Sequence, residues 1–474
     1  MLKNYISSKL LDNLDFQPTR SQEELIQSLS TFIHSDDPSE LFLIRGYAGT
    51  GKTTVVNSLV RTLKDMGLKS VLLAPTGRAA KVMFAYTGHT SWTIHKKIYR
   101  QKSGSDGLGE FVLDRNMHKD SYFIIDEASM IGQSSAESLF GTGNLLSDLL
   151  HYVRSGQNCR LILIGDTAQL PPVKLEVSPA LDQEVLESFG LKVHQYTLTD
   201  IVRHEKDSGI LLNATIIRNL ITDRSVHIPQ FSANGFKDVE RVGGAELLEM
   251  ISHSYDHYGE EETIVVTRSN KRANRFNSGI RGQILWREEQ ISRGDLLMVV
   301  KNNYFWKDEE QKLDFIANGD IARIERVVRF EELYGLHFAD VELTLTDYDN
   351  LFLEAKIMLD VLDVEGPSLP MEMQRILYQK IMDESPELSN KKKKAEYIAN
   401  DQYFNALQVK FAYAVTCHKA QGGQWRSVFL DHGYFTEEMM SLDYLRWLYT
   451  AFTRATEKLY LVNFSELFFH AGED

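Results

Sequence analysis

A glycine-rich segment near the start of the chain, RGYAGTGKTT over residues 45–54, contains the residue types that bind phosphate. It follows an apolar run, Leu41 to Ile44, that predicts a buried strand, and it precedes a stretch with helical spacing. Glycines let backbone N–H groups curve around phosphate oxygens, and the helix N-terminus adds its positive end. Lys52 would neutralise β- and γ-phosphate charge, and Thr53 would ligate Mg²⁺. The predicted ATP contacts in this segment are Gly46, Ala48, Gly49, Thr50, Gly51, Lys52, Thr53 and Thr54.

Two acidic residues complete such a site. The segment YFIIDEASM has an apolar run over 122–125 that is followed directly by Asp126 and Glu127. Asp126, at the carboxyl end of that strand, is predicted to hold Mg²⁺ through water. Glu127 is predicted to be the general base that polarises the attacking water. A solvated acidic turn is the alternative for an isolated pair, and the preceding phosphate loop argues against it.

A third unit, RLILIGDTAQLPPV, places Asp166 and Gln169 after another strand-like run. Ligands of open α/β sheets bind beyond the carboxyl ends of the strands, where these side chains are expected. Gln169 is therefore predicted to take part in catalysis as part of a γ-phosphate sensor. A plain loop, stiffened by Pro171 and Pro172, is the alternative.

Apolar strands that alternate with helical stretches recur along the chain and predict an α/β fold with doubly wound parallel sheets. The first half has such runs at 41–44, 71–75, 122–125 and 161–164; the second half has them at 263–267, 408–415, 427–430 and 458–463. The phosphate-binding segment occurs once, so the second half is expected to contribute differently to the site.

Length, charge and composition limit the number of domains and the classes of function that the chain can have. With 474 residues, two to four domains are expected, and the net charge of −14 argues against non-specific coating of nucleic acid while allowing a local basic channel. The only cysteines, Cys159 and Cys417, cannot form a disulfide framework or a four-ligand zinc site. No signal peptide or membrane span is evident, so a cytoplasmic protein is expected.

Further motifs occur in a fixed order around these three. They are FQPTRSQ (16–22), LLAPTGRAAKVM, TSWTIHK (90–96), LTDIVRHEKDSGILLNATIIRN, VVTRSNKRANRFNSGIR, AVTCHKAQGG and LYTAFTRATEKLYLV. Together with the phosphate loop and its acidic partners, this series resembles the motifs of superfamily 1 helicases, with a spelling closest to the B-type RecD-like and Dda-like branch. The resemblance covers nearly the whole chain.

The resemblance implies two RecA-like P-loop motor domains with ATP in the cleft between them. It makes Arg454 the arginine finger, Arg203 a further phosphate-facing arginine, and Gln22 the adenine contact. Thr19-x-x-Gln22 also fits a helix capping box, and both roles are compatible. It places Gln421 and Gly422 at the ATP cleft and implies contacts to single-stranded DNA from Pro75, Thr76, Arg78, Thr93, His95, Lys96, Thr416, His418 and Lys419.

Two insertions interrupt the motor domains. Residues 99–118 predict a β-hairpin in the position of the family's strand-separating pin, for which Tyr99 and Phe111 are candidates, although ordinary hairpin packing fits them too. Residues 286–405 predict an SH3-like β-barrel followed by helices, with the Lys391–Lys394 run either touching DNA or facing solvent. The predicted domains are 1–98 with 119–198 (motor domain 1A), 99–118 (1B), 199–285 with 406–474 (2A) and 286–405 (2B).

The resemblance implies an ATP-dependent DNA helicase that moves on single-stranded DNA, from 5′ to 3′ as B-type relatives do, and acts at single/double-strand junctions. The resemblance implies a monomer with replication or recombination protein partners that acts in DNA repair or recombination. It also implies association with the nucleoid of a prokaryote or a phage-infected cell. The alternative is a DNA-stimulated translocase that displaces proteins with little strand separation. A P-loop kinase or GTPase would need neither Gln22 nor a second motor domain, and no N-K-x-D guanine motif is evident.

Cys417 stands directly beside His418, a pairing that in isolation could be a nucleophile with its base or part of a metal site. A nucleophile needs a third orienting group and a metal needs more ligands. The resemblance instead gives weight to the residues around Cys417, which is expected to pack as a small hydrophobe. Relatives often have an acidic residue where Gln424 stands, so the sequence departs from the family pattern at this position.

Overall fold

Two parallel sheets, a closed barrel and a short hairpin make up the β-structure of the described part of the chain. The computed structural model describes residues 2–101, 111–132, 141–173, 175–201, 208–306, 313, 315–348, 350–384 and 391–469. Arg203, predicted to face phosphate, lies outside these residues, as does the turn of the predicted hairpin.

The strands and helices alternate over much of the chain. The strands are β1 (Glu40–Gly46), β2 (Lys69–Ala74), β3 (Ser91–Thr93), β4 (Tyr99–Gln101), β5 (Phe111–Leu113), β6 (Ser121–Ile125), β7 (Arg160–Gly165), β8 (Lys192–Leu198), β9 (Val239–Val242), β10 (Thr263–Thr267), β11 (Leu296–Val299), β12 (Ile321–Leu333), β13 (Leu336–Leu345), β14 (Leu351–Met358), β15 (Leu407–Phe411), β16 (Ala414–Thr416), β17 (Trp425–Asp431) and β18 (Ala455–Val462). The helices are α1 (Leu2–Asp12), α2 (Arg20–His34), α3 (Lys52–Asp65), α4 (Gly77–Thr87), α5 (Ile94–Ile98), α6 (Leu145–Ser155), α7 (Gln183–Ser188), α8 (Gly209–Thr222), α9 (Leu247–Tyr258), α10 (Asn270–Gln283), α11 (Met371–Asp383), α12 (Lys391–Ala399), α13 (Cys417–Ala420) and α14 (Leu442–Phe452).

The first sheet is parallel, with the strand order β3-β2-β6-β7-β1-β8. Alternate residues of β1 face opposite sides, because side chains of a strand alternate in direction. Leu41 and Leu43 join the core beneath α6, whereas Phe42 and Ile44 join the core beneath α1, α2 and α3. Both faces of the sheet are therefore covered, which is why its central strands read as continuous apolar runs.

The second sheet is also parallel, with the order β16-β10-β17-β18-β9. Helices α8 and α14 share its core, whose residues also include Ala168 and Leu170 from the loop after β7. That loop belongs in sequence to the first sheet, so the core of the second sheet reaches across the cleft. The predicted α/β class with two P-loop-type parallel sheets is confirmed.

One predicted motor strand is wrong. Residues 408–415 were expected to form a single strand of the second parallel sheet, but they divide between β15 and β16. β15 pairs with β11 and β14 in the barrel, and only β16 joins the second sheet, beside β10. The chain turns at Ala412 and Tyr413, two buried apolar residues, so nothing in the hydrophobic pattern marks the break.

The predicted small barrel is confirmed as a closed ring of strands in the order β11-β12-β13-β14-β15. Helices α11 and α12 lie against it and bury Leu377, Ile381 and Ile398 in a separate core with Phe338. The lysine run begins α12, where the side chain of Lys393 is exposed, which is compatible with both the DNA-contacting and the solvent-facing alternative.

The hairpin of β4 and β5 is present, but the two candidate pin residues are packed inside. Tyr99 donates a hydrogen bond from Oη to Asp148 (2.7 Å), and Phe111 packs against Tyr304 with ring centroids 4.5 Å apart and ring planes tilted by 45°. Tyr99 is 8% exposed and Phe111 4% exposed. Ordinary packing, the alternative that the sequence left open, is what the structure supports for both.

Candidate functional site

The phosphate loop lies between the end of β1 and the start of α3, at the edge where β6 and β7 also end. Gly49 and Gly51 have φ angles of 74° and 78°, in the left-handed region that only glycine enters at little cost. These turns let the loop fold back above the N-terminus of α3, whose first residue is Lys52. The geometry is that of an anion-binding loop.

Lys52 folds back onto the loop that carries it. Its Nζ donates to the carbonyl oxygens of Gly46 (2.7 Å) and Tyr47 (2.9 Å) and lies 3.7 Å from Oδ2 of Asp166. The ammonium is therefore held at the mouth of the loop, with a buried carboxylate beside it, within reach of a phosphate bound there.

Asp126 and Glu127 follow β6 as the sequence predicts. Oδ2 of Asp126 accepts a hydrogen bond from the hydroxyl of Tyr86 (2.8 Å), and Oδ1 accepts from the Glu127 N–H (2.8 Å). Glu127 has a φ of 53°, an uncommon backbone for a residue with a side chain. Burial raises the pKa of its carboxyl, and the neighbouring Arg454 guanidinium opposes that shift.

Arg454, in the turn between α14 and β18, reaches this same centre from the second sheet. It is 2% exposed, and it donates to the carbonyl oxygens of Thr450 (2.9 Å) and Gly423 (3.0 Å). Its charge influences Glu127 across the cleft, so residues of both sheets meet at one place.

Gln169 lies in the loop after β7 and is buried, with no hydrogen-bond partner for its Oε1 among the described residues. A buried amide oxygen without a partner is costly unless a ligand or water satisfies it. The next residue, Leu170, donates its N–H to Oγ1 of Thr450 (2.8 Å) and accepts at its carbonyl from Nε2 of Gln421 (2.8 Å). The loop after β7 is thus held by two segments of the second sheet, one on each side of its backbone.

Gln22 is completely buried and engaged in two ways. Its Oε1 accepts from the N–H of Thr19 (3.0 Å), which completes the predicted capping box, and its Nε2 donates to the carbonyl of Thr50 (3.2 Å). The amide therefore fixes the phosphate loop to the start of α2. A contact to adenine stays a prediction.

Two residues of the site are not predicted by the sequence. Tyr86 hydrogen-bonds Asp126, and Tyr449 hydrogen-bonds Asp166 and the backbone of Ala48. Both lie on helices beside apolar residues, where a tyrosine reads as part of a core. The signal available in the sequence was weak, because only the hydroxyl distinguishes these residues from phenylalanine.

Most side chains of the first motor domain that are predicted to contact DNA make contacts with other residues of the protein. Thr76 and Thr93 cap α4 and α5 through their hydroxyls, and burial lowers the pKa of His95 to about 4, so its imidazole is neutral at pH 7. The guanidinium of Arg78 lies 4.0 Å from the ring centre of Trp425, and the ammonium of Lys96 lies 3.7 Å from that of Tyr348.

The surroundings of Cys417 fit a small buried hydrophobe and not a nucleophile. Cys417 is fully buried, its Sγ donates to the carbonyl of Trp447 (3.6 Å), and burial raises its thiol pKa to about 12. A thiol of that kind is not a nucleophile at neutral pH. His418 is exposed on α13, Thr416 is half-buried, and Lys419 bonds the side chain of Asn318 in the connection between β11 and β12 of the barrel.

Gly422 shows why this segment needs a glycine. Its φ is 79°, and an added Cβ would lie 3.2 Å from Oγ1 of Thr76 and 3.2 Å from Cβ of Ala79. Two residues further along, the carbonyl oxygen of Gln424 accepts a hydrogen bond from Arg78 (3.1 Å). This contact is made by the backbone, so it does not need the acidic side chain that relatives often have at this position. The segment from 416 to 425 thus touches α4 of the first sheet as well as the loop after β7.

The groups gathered at this site suit a nucleoside triphosphate with Mg²⁺. The loop offers backbone N–H groups at a helix N-terminus, Lys52 supplies charge, and the buried Oε1 of Gln169 awaits a polar partner. Thr53 and Asp126 lie on neighbouring elements with the hydroxyl and carboxylate oxygens that Mg²⁺ prefers. Within the described ranges, no cluster of three or more His, Cys, Asp or Glu could hold a metal unaided, and no helix is long and apolar enough to cross a membrane.

Comparisons with known proteins agree with these motifs. A family model described as an AAA domain matches residues 19–219, and one described as a UvrD-like helicase C-terminal domain matches residues 411–462. The two matches fall on the two parallel sheets and include the phosphate loop and Arg454.

Among curated proteins, the chain is similar to the ATP-dependent RecD2 DNA helicase of Deinococcus radiodurans, with 23% identity over 94% of this chain and 50% of that protein. It is also similar to the ATP-dependent DNA helicase dda of Enterobacteria phage T4, with 27% identity over 54% of this chain and 55% of that protein. The chain thus spans about half the length of these relatives. A Pif1 helicase structure from Bacteroides with ADP-AlF3 and ssDNA has a TM-score of 0.48 at 14% identity, covering 96% of this chain and 95% of that one.

Proposed function

We propose that this chain, a relative of the RecD-like and Dda-like helicases of superfamily 1, is an ATP-dependent DNA helicase. It moves along single-stranded DNA, from 5′ to 3′, and separates strands at single/double-strand junctions. It works as a monomer in replication, recombination or repair. The observation that carries the proposal is direct contact between the two sheets beside the phosphate loop. Asp166, in the loop after β7 of the first sheet, lies 3.7 Å from Lys52, and the backbone of the same loop bonds the hydroxyl of Thr450 from the second sheet. The Thr450 carbonyl in turn accepts a hydrogen bond from Arg454.

This contact between the sheets gives each side chain of the site a role in hydrolysis. Lys52 binds the β- and γ-phosphates, and Arg454 stabilises the charge that develops on the γ-phosphoryl group from the other side. Glu127 orients and deprotonates the attacking water, and Gln169 turns its buried oxygen toward that water. Thr53 and Asp126 would hold Mg²⁺, which would neutralise further phosphate charge when bound.

Coupling to DNA passes through the segment from 416 to 425. Gln421 holds the loop after β7, and Gly422 packs against Thr76 at the start of α4. His418 is exposed on the same short segment. A shift of this segment when the cleft opens or closes therefore moves a DNA-facing side chain and a nucleotide-facing side chain together, as stepping requires.

Hydrolysis and strand separation are tested separately. ATP hydrolysis is expected to rise sharply when single-stranded DNA is added, and an unchanged rate would contradict the stepping mechanism. Release of a labelled strand from a tailed duplex then distinguishes the helicase from a translocase that only displaces proteins, since the translocase would hydrolyse ATP and leave the duplex intact.

His418→Ala is expected to raise the concentration of single-stranded DNA needed for half-maximal ATPase stimulation several-fold, because a side chain that contacts the strand is lost. Cys417→Ala is the matched control: it changes the adjacent residue, which is buried and faces Trp447. DNA titrations of ATPase rate for both variants make the comparison. Equal responses from the two would show that His418 does not contact DNA.

A further inference from the structure

The hydroxyl of Tyr449 lies between the phosphate loop and the loop after β7, although Tyr449 itself belongs to α14 of the second sheet. It accepts a hydrogen bond from the N–H of Ala48 (2.8 Å) and donates one to Oδ2 of Asp166 (2.7 Å). The side chain is 1% exposed. Burial raises the pKa of its phenol well above the usual range, so the hydroxyl keeps the proton that it donates.

A second contact joins the same two parts of the protein. Arg218 of α8 places its guanidinium 4.8 Å from the ring centre of Tyr47, the residue before Ala48 in the phosphate loop. Two helices of the second sheet therefore contact adjacent residues of a loop that belongs to the first. Tyr449 and Arg218 of the second sheet thus contact the phosphate loop directly.

These contacts compete with phosphate. A phosphate loop binds its ligand through backbone N–H groups, and an N–H that donates to a tyrosine hydroxyl is not available to a phosphate oxygen. Lys52 is likewise engaged with the loop's own carbonyl oxygens, 3.7 Å from the carboxylate to which Tyr449 is bonded. Entry of a nucleotide requires both sets of contacts to rearrange.

We propose that Tyr449 is a latch across the cleft, whose hydroxyl holds Ala48 and Asp166 until nucleotide phosphate displaces it. The proposal rests on the proposed function, because it concerns the same nucleotide site. Displacement of the hydroxyl releases α14 from the phosphate loop. Since Arg454 follows α14 directly after the helix cap Thr453, occupancy of the loop changes the position of the helix that precedes Arg454. Tyr449 is thus a positioning residue that sets nucleotide affinity and couples it to the second sheet.

Tyr449→Phe removes the hydroxyl and keeps the buried ring. The variant is expected to bind mant-ADP, a fluorescent ADP analogue, with Mg²⁺ about fivefold more tightly than the unaltered protein, because the competing hydrogen bonds are gone. Tyr444→Phe is the matched control on the same helix, since the Tyr444 hydroxyl bonds His432 within the second sheet. Equilibrium fluorescence titrations give the affinities without hydrolysis, and thermal melting checks that both variants fold.

Tighter binding by Tyr449→Phe with an unchanged Tyr444→Phe supports the latch. Unchanged or weaker binding by Tyr449→Phe, with the unaltered protein binding normally, overturns the latch and leaves the proposed function standing. Failure of the unaltered protein to bind mant-ADP at all would contradict the proposed function and the latch together.

Discussion

Lys52→Ala is expected to reduce ATP hydrolysis to background, with or without single-stranded DNA. The ammonium is the cation that stands at the mouth of the phosphate loop, 3.7 Å from the Asp166 carboxylate. Without it, phosphate charge would be brought next to Asp166 and Glu127 with less compensation, and electrostatic stabilisation is the main contribution of such sites to phosphoryl transfer. Steady-state phosphate release measures the effect.

The control for this variant is Lys64→Ala, which removes an exposed lysine from the other end of α3 and should retain full activity. The melting temperature of Lys52→Ala should stay close to that of the unaltered protein, because the polar contacts of the lysine among the described residues are with its own loop and with the Asp166 carboxylate. Appreciable residual hydrolysis by a folded Lys52→Ala would refute the role given to the phosphate loop.

Arg454→Ala is expected to lower the maximal hydrolysis rate by about 10³- to 10⁵-fold, the effect typical of an arginine finger, while nucleotide binding is retained. The structure adds a complication, because the guanidinium also donates to the carbonyls of Thr450 and Gly423 and so helps to hold α14. Arg454→Lys keeps the charge and loses the planar fork, and is expected to remain strongly impaired.

Single-turnover hydrolysis and nucleotide affinity, measured side by side, separate the two roles of Arg454. Arg426→Ala is the control, since Arg426 is exposed on β17 and pairs with Glu457 away from the cleft. A catalytic arginine predicts normal affinity with crippled turnover. An equal loss of binding and turnover, with a lowered melting temperature, would make Arg454 a structural residue instead.

The phosphate loop and its acidic partners could be predicted from the sequence because their chemistry is local. Glycines, a lysine and a threonine at fixed spacing, between an apolar run and a helical stretch, define a loop whose geometry follows from a few neighbouring residues. The central strands were equally readable, since burial on both faces makes them uniformly apolar. Short or half-exposed edge strands such as β3 and β8 give no such pattern, and they were missed.

The contacts across the cleft could not be predicted in the same way. Tyr449 meets Ala48 across 401 positions of sequence, and its place on an apolar helix face suggests a core residue. The boundary between β15 and β16 is hidden for a related reason, because the turn between them is as buried as the strands it joins. The Tyr449 contact and the boundary between β15 and β16 both depend on how the two sheets and the barrel pack against one another. The spacing of residues along one segment carries no information about that packing.

The most direct test of the central claim is ATP-dependent unwinding of two duplexes that differ only in whether the single-stranded tail is 5′ or 3′. We predict that the protein releases the strand from the 5′-tailed duplex, that it does so only with hydrolysable ATP, and that the 3′-tailed duplex stays largely intact. Hydrolysis stimulated by DNA without release of either strand would contradict the assignment as a helicase, and release from the 3′-tailed duplex alone would contradict the direction.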